Sequence, residues 1–195
     1  LSDLPRGTLM GSVVNTTNGG TPVGQATISL LETGVSLISG PDGRYRGALP
    51  TGTYTVAVSH PSFAPDTTGP ITIAFGETAM VDFALRDVVP PLFTATTDYG
   101  ATTNTAGPYY VYSTITEESN FAELELRYNI QGSGWREAAL VPQGDYVYRA
   151  AIPGQPYTTL IHYYLYGRDV GNNAGTDPAN PPGEVYSFWV MPPTL

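Results

Sequence analysis

The stretch from Gly40 to Val56 sets two turn signals on either side of a short strand, and that spacing constrains the fold more than any other feature of the chain. In Gly40-Pro41-Asp42-Gly43 the proline presets φ, the aspartate can bond the backbone two residues on, and the glycine tolerates a positive φ. Arg44 to Leu49 then reads as a strand, and Pro50-Thr51-Gly52 turns the chain again. Beyond that turn Tyr54, Val56 and Val58 share one face while Thr53, Thr55 and Ser59 share the other, the period of a sheet with one buried face. Turns this tight favour antiparallel neighbours.

At these residues the chain resembles the carboxypeptidase regulatory-like domains, which have a transthyretin-like (prealbumin-like) fold. Their pattern appears here as a glycine-opened strand from Gly7 to Val14, a turn and strand from Pro22 to Leu30, Asp42-Gly43-Arg44-Tyr45, and Leu49-Pro50-Thr51-Gly52-Thr53-Tyr54-Thr55-Val56. The resemblance runs from about Gly7 to Leu85 and implies a β-sandwich. It consists of packing and turn residues and transfers no catalytic set.

A chain of 195 residues accommodates two such sandwiches of roughly 85 to 105 residues each. With Gly, Pro, Thr and Tyr abundant and no helical period of useful length, the expected fold is all-β, two consecutive antiparallel Greek-key β-sandwiches, prealbumin-like and then Ig-like. The expected bounds are residues 1–86, a stiff proline-bearing link over 87–91, and residues 92–195, with Leu1 to Arg6 a linker remnant. In the first half, strands are expected at Thr8–Val14, Ala26–Glu32, Val35–Ser39, Arg44–Leu49, Thr53–His60, Ile71–Phe75 and Ala79–Leu85, with Ser62 to Pro70 an exposed loop. In the second they are expected at Tyr109–Thr116, Ala122–Ile130, Arg136–Val141, Tyr146–Ile152, Thr159–Asp169 and Val185–Val190. Along Ala122–Ile130 the alternation puts Ala122, Leu124, Leu126, Tyr128 and Ile130 inside and Glu123, Glu125, Arg127 and Asn129 outside.

This second half resembles the bacterial Ig-like or fibronectin-type-III-like modules found near the C-termini of exported enzymes. The matching pieces are Asp87-x-x-Pro90-Pro91, Gly107-Pro108-Tyr109-x-Val111, Tyr148-x-Ala150-x-Ile152-Pro153-Gly154, Tyr163-Tyr164-Leu165-x-Gly167-x-Asp169-x-Gly171-Asn172 and Tyr186-x-Phe188-x-Val190. Such modules usually carry Ala where this chain has Gly167, a departure expected to loosen one core position.

A formal charge of −9 argues against nucleic-acid binding, which needs clustered cations. All eight basic residues are Arg, so the Lys-based isopeptide staples of some surface proteins are ruled out. Without cysteine there is no disulfide, thiolate nucleophile or Cys-based metal site. No apolar run is long enough to span a membrane and no signal segment is visible. Because the chain opens at Leu1, it is expected to be a fragment of a longer exported bacterial precursor.

Catalysis would need a nucleophile with a base, or paired carboxylates at a defined separation. His60 falls in phase with the core positions of its strand and His162 on an outward face, neither in a catalytic motif, and no enzymatic activity is expected. No cofactor is expected either, except that Asp169, Asn172 and Asp177 gather oxygen ligands in one loop. These could hold Ca²⁺, or could simply organise a turn through side-chain to backbone bonds. Parity along the second-half strands places Arg127, Tyr164, Tyr166, Arg168 and Trp189 on one outer face, a composition suited to a protein or polysaccharide ligand, or to cross-strand pairing alone. The function these residues and resemblances imply is a non-catalytic accessory region of a secreted peptidase, covalently linked to its parent and acting in stabilisation, positioning or attachment. The alternatives are a carbohydrate-binding module and the structural spacer of an adhesin.

Overall fold

A computed structural model describes residues 4–193, so Leu1 to Asp3 of the expected linker remnant lie outside the described residues. Among the described residues every regular element is a strand, and no helix is long and apolar enough to cross a membrane. The chain divides into two compact units, Leu1–Val89 and Pro90–Leu195, each built around its own hydrophobic core.

The first unit contains β1 (Arg6–Asn15), β2 (Thr21–Pro22), β3 (Thr27–Leu30), β4 (Val35–Ile38), β5 (Arg44–Pro50), β6 (Gly52–His60), β7 (Phe63–Ile73), β8 (Thr78–Met80) and β9 (Phe83–Leu85). One sheet is centred on β1, which pairs antiparallel with β5 and β2 and parallel with β8 and β9. The other has the antiparallel order β4-β3-β6-β7. Leu9, Val13 and Phe83 of the first sheet meet Ile28, Leu30, Val56 and Val58 of the second in the buried layer between them, each such side chain contributing about 1.5–3 kcal/mol.

Two details depart from the expected strands. Of the stretch Ser62 to Pro70, expected as a loop, all but Ser62 belongs to β7, which pairs with β6 through two register shifts. Pro65, Gly69 and Pro70 are tolerated there because β7 is an edge strand, where a missing N–H costs no ladder bond. The expected strand Ala79–Leu85 is split at Val81 and Asp82. At that break Gly11 of β1 lies so close to the Val81 carbonyl that no Cβ would fit, and the Tyr45 hydroxyl donates to the same carbonyl at 2.5 Å. Burial, with the nearby Asp82 charge, pushes the Tyr45 phenol well above its ordinary range. Asp87, expected in the link, bridges to Phe63 in the first unit, and its N–H donates to Thr17 Oγ1.

The second unit contains β10 (Leu92–Thr94), β11 (Ala101–Thr102), β12 (Tyr109–Thr116), β13 (Phe121–Ile130), β14 (Trp135–Ala139), β15 (Val141–Gly144), β16 (Val147–Ile152), β17 (Thr159–Asp169), β18 (Ala174–Asp177) and β19 (Tyr186–Val190). Its sheets run β10-β12-β16-β15 and β11-β19-β17-β13-β14, with β18 added to β17, the strand order of an immunoglobulin-type sandwich. The expected strand Arg136–Val141 proves to be two, β14 in one sheet and β15 in the other, with the chain crossing between them at buried Leu140. A register shift between Phe121 and Glu123 leaves Ala122 exposed. Phe121 packs against the core instead, in an edge-to-face contact with Tyr148.

Candidate functional site

The outer face of the larger sheet in the second unit holds most of the aromatic and arginine residues that strand parity selects. Arg127 on β13 is opposite Tyr164 on β17, and Glu125 is opposite Tyr166. The Arg127 guanidinium lies 4.4 Å from the centre of the Tyr166 ring, with Nη2 at 2.5 Å from Glu125 Oε1 and Nε at 3.9 Å from Glu137 Oε1. Burial would lower the Arg127 pKa, but bonding to Tyr164 and Glu125 more than offsets it, and the group stays above its ordinary value. At the next outward position Arg168 donates to Glu123 at 2.6 Å and to Asn172 Oδ1 at 3.1 Å. The Arg168 hydrogen bond holds the Glu123 carboxyl below its usual range.

Each arginine of this patch is therefore engaged by a carboxylate of the same sheet. The aromatic rings do not form one platform either. Tyr164 is only 8% exposed and meets Trp135 edge-on, ring centres 4.9 Å apart and planes 71° apart. Trp189 is 45% exposed, but it pairs in register with Leu160. That is four residues along β17 from Tyr164, about 13 Å at the usual rise per strand residue. Trp135, which alternation along a single strand did not single out, enters the patch because β14 pairs Trp135 with Asn129. His162 also points to this face, and its Nδ1 is buried without a hydrogen bond among the described residues. His60, in the first unit, accepts the Ser62 N–H through Nδ1 and sits against Phe63.

The smaller sheet carries a different surface that the sequence reading missed. Tyr110 and Tyr112 alternate with buried Tyr109, Val111 and Ser113 on β12, and they are 37% and 39% exposed. Arg149 of β16 is opposite Tyr112 and places its guanidinium 4.5 Å from the centre of the Tyr110 ring. The two tyrosine rings are 6.4 Å apart and tilted by 53°, and Val141 of the neighbouring β15 is 51% exposed beside them in register with Arg149. No carboxylate lies within ion-pair distance of Arg149 among the described residues. The signal was present in the alternation of Tyr109 to Thr116, where two large aromatic rings fall on the solvent side of a half-buried strand.

The expected calcium residues are dispersed. Asp169 is fully buried and its two carboxylate oxygens accept from the Asn173 backbone N–H and side-chain amide, at 2.8 and 2.7 Å. Asn172 is turned to Arg168, and its N–H bonds the Asp169 carbonyl. Asp177 stands opposite Leu165, four residues from Asp169 along β17, and accepts from the Tyr186 hydroxyl at 3.0 Å. Burial first, and then this bond and the Asp177 charge, push the Tyr186 phenol up to about 12. The carboxylate that does approach Asp169 within the second unit is Glu117, which presents an oxygen within 4.8 Å.

Residues 8–86 match the family model of the carboxypeptidase regulatory-like domain. No curated protein matches the chain. Among solved structures, a DUF3823 family protein from Bacteroides ovatus is 13% identical, with 96% of this chain and 100% of that chain covered at a TM-score of 0.36. A second member of that family, from Parabacteroides merdae, is 13% identical over 88% of this chain and 95% of its own at 0.33. The major pilin subunit of Bacillus cereus is 12% identical over 97% of this chain and 70% of its own at 0.35. Scores this low mark loose superpositions. The family match coincides with the first sandwich from β1 through β9, and the stretch from residue 8 to residue 86 is a carboxypeptidase regulatory-like domain.

Proposed function

We propose that the chain is a non-catalytic accessory region of a larger exported bacterial protein, with a secreted peptidase as the parent, and that its second sandwich attaches that parent to a protein substrate or surface. The observation that carries this reading is the Tyr110, Tyr112 and Arg149 surface. Aromatic rings and arginine are the residue types enriched where proteins meet, and here the two tyrosines are exposed beside Val141 with Arg149 half-buried against them. The engaged arginines around Arg127 and Arg168 make the opposite sheet the less available face. A tilt of 53° between the tyrosine rings gives no flat platform for an extended sugar chain, which favours a protein ligand over the carbohydrate-binding reading.

Retention of the purified chain on a panel of fibrous proteins and insoluble polysaccharides tests the assignment, alongside Tyr112→Ala and Trp189→Ala variants. Retention on a protein matrix, lost with Tyr112→Ala and kept with Trp189→Ala, is the expected result. Loss with Trp189→Ala instead would move the site to the larger sheet. Retention on a polysaccharide would favour a carbohydrate-binding module, and none on any matrix a spacer.

A further inference from the structure

The first unit carries a separate feature on its own sheet. Strand β5 pairs with β1 along one side only, so among the described residues its other side is an open edge. The hydrogen bonds of β1 fix which groups face that edge. Thr8 N–H bonds Glu77, Met10 C=O takes the Val81 N–H and Ser12 N–H bonds Asp82, all away from β5. Their register partners Ala48, Arg46 and Arg44 therefore also turn their backbone groups away from β1, toward the edge. Arg44 C=O is taken by Gly40 N–H.

Three arginines line this edge on the outer face. Arg44 and Arg46 are exposed on β5 itself, and Arg6 reaches across from β1 to donate to the Ala48 carbonyl at 3.0 Å. None belongs to an ion pair among the described residues. The two aspartates beside them face neutral groups, Asp82 accepting from Ser12 N–H and Oγ and Asp42 from the Arg44 N–H. Next to the arginines the outer face is concave, a space of 570 Å3 with Met10 and Met80 among its lining residues. In a chain of net charge −9 with eight cations in all, three guanidiniums outside any ion pair, set against Asp42 and Asp82 in the same hollow, leave a local excess of positive charge.

We propose that the open edge of β5 binds an extended acidic polypeptide segment as an added strand, with carboxylates at alternate residues facing Arg44, Arg46 and Arg6. An added strand supplies main-chain partners for the edge groups that the described residues leave unbonded, the N–H and C=O of Arg46 and the N–H of Ala48. Its side chains on one face repeat every two residues, about 6.8 Å, which is the repeat of positions 44, 46 and 48. Carboxylates directly across from the guanidiniums form favourable cross-strand pairs. A second copy of this edge is disfavoured by the same charges, because the registers that pair Arg44 or Arg46 of β5 with the same residues of another β5 oppose arginine to arginine. This site is independent of the aromatic surface on the second sandwich.

The test is a titration of the full chain, followed by backbone amide NMR, with the blocked peptide Thr-Glu-Val-Glu-Val-Glu-Thr. The same peptide with Lys for Glu, and polygalacturonate, serve as comparisons. Saturable binding of the Glu peptide should shift the amides of Arg46 and Ala48 most. The double variant Arg44→Gln, Arg46→Gln, whose exposed side chains leave the melting temperature unchanged, should weaken it about tenfold. Absence of binding at millimolar peptide, equal binding of the Lys peptide or of polygalacturonate, shifts confined to other strands, or undiminished binding by the double variant would each overturn the proposal.

Discussion

Gly167→Ala tests how tightly the second sandwich is filled. The residue is buried on β17, and a Cβ there would stand 3.0 Å from Phe93 Cζ, 3.2 Å from Leu124 Cδ1 and 3.3 Å from Pro91 Cβ. The position expected to be loose is thus occupied by side chains from two directions, with Phe93 taking the space that an alanine methyl would fill. Two terms oppose each other. Replacing glycine within a strand gains about 0.5–1 kcal/mol of backbone entropy, whereas overpacking a filled core costs about 1–3 kcal/mol. Two of the three contacts are ends of flexible side chains, so the cost lies toward the lower part of that range, and the net expectation is a loss of about 1 kcal/mol. Both tryptophans, Trp135 and Trp189, belong to the second unit. A urea titration followed by tryptophan fluorescence therefore reports this unit alone. Adding Phe93→Leu to Gly167→Ala removes the nearest atom and should recover a measurable part of the loss. An alanine variant as stable as the parent, or a double variant that merely sums two losses, would refute the packing argument.

Gly11→Ala should be far more damaging, about 3 kcal/mol or more, because the obstacle is the Val81 backbone rather than a side-chain end; circular dichroism in urea would show the first unit unfolding early while the tryptophan signal holds. The Tyr186 phenol, raised to about 12 in the fold from an ordinary value near 10, remains protonated after the unfolded chain has lost its proton. Its contribution is complete below pH 10 and declines as pH rises toward 12. The fluorescence-detected urea midpoint should fall less steeply from pH 10 to 12 in Tyr186→Phe than in the parent, and equal slopes would contradict this. Any rise in melting temperature on adding calcium should persist in Asp177→Asn, since Asp177 is four residues along the strand from Asp169; loss of the rise in that variant would return Asp177 to a shared site.

Residues whose role is set by nearest neighbours were legible in the sequence. Pro41, Asp42 and Gly43 dictate a turn through their own φ preferences and side-chain bonds, and Gly43 indeed has φ of 74°. Alternation likewise assigned Leu126 and Tyr128 to the core and Arg127 to the outer face. What stayed hidden depends on pairing. Parity tells which face Trp189 occupies but not which residue of β17 stands beside it, and that register separates it from Tyr164 and Tyr166. The proline and glycine content of Phe63 to Ile73 reads as a loop unless β7 is known to lie at an edge. The sequence could not tell that Arg127 and Arg168 would be claimed by Glu125 and Glu123, nor that Arg149 would be left to Tyr110.

The placement of β1 between β5 on one side and β8 and β9 on the other bears on how the first unit forms during synthesis. Within this unit the first strand to be made is the one whose ladder closes last, since Val13 to Asn15 wait for Phe83 to Leu85, seventy residues downstream. Until those residues leave the ribosome, half of the backbone groups of β1 have only water as partner. Pairing across such separations slows folding, so this unit passes through a long interval during synthesis with β1 only partly paired. A truncation before Phe83 would make that interval permanent and leave the remaining polypeptide prone to aggregate through β1.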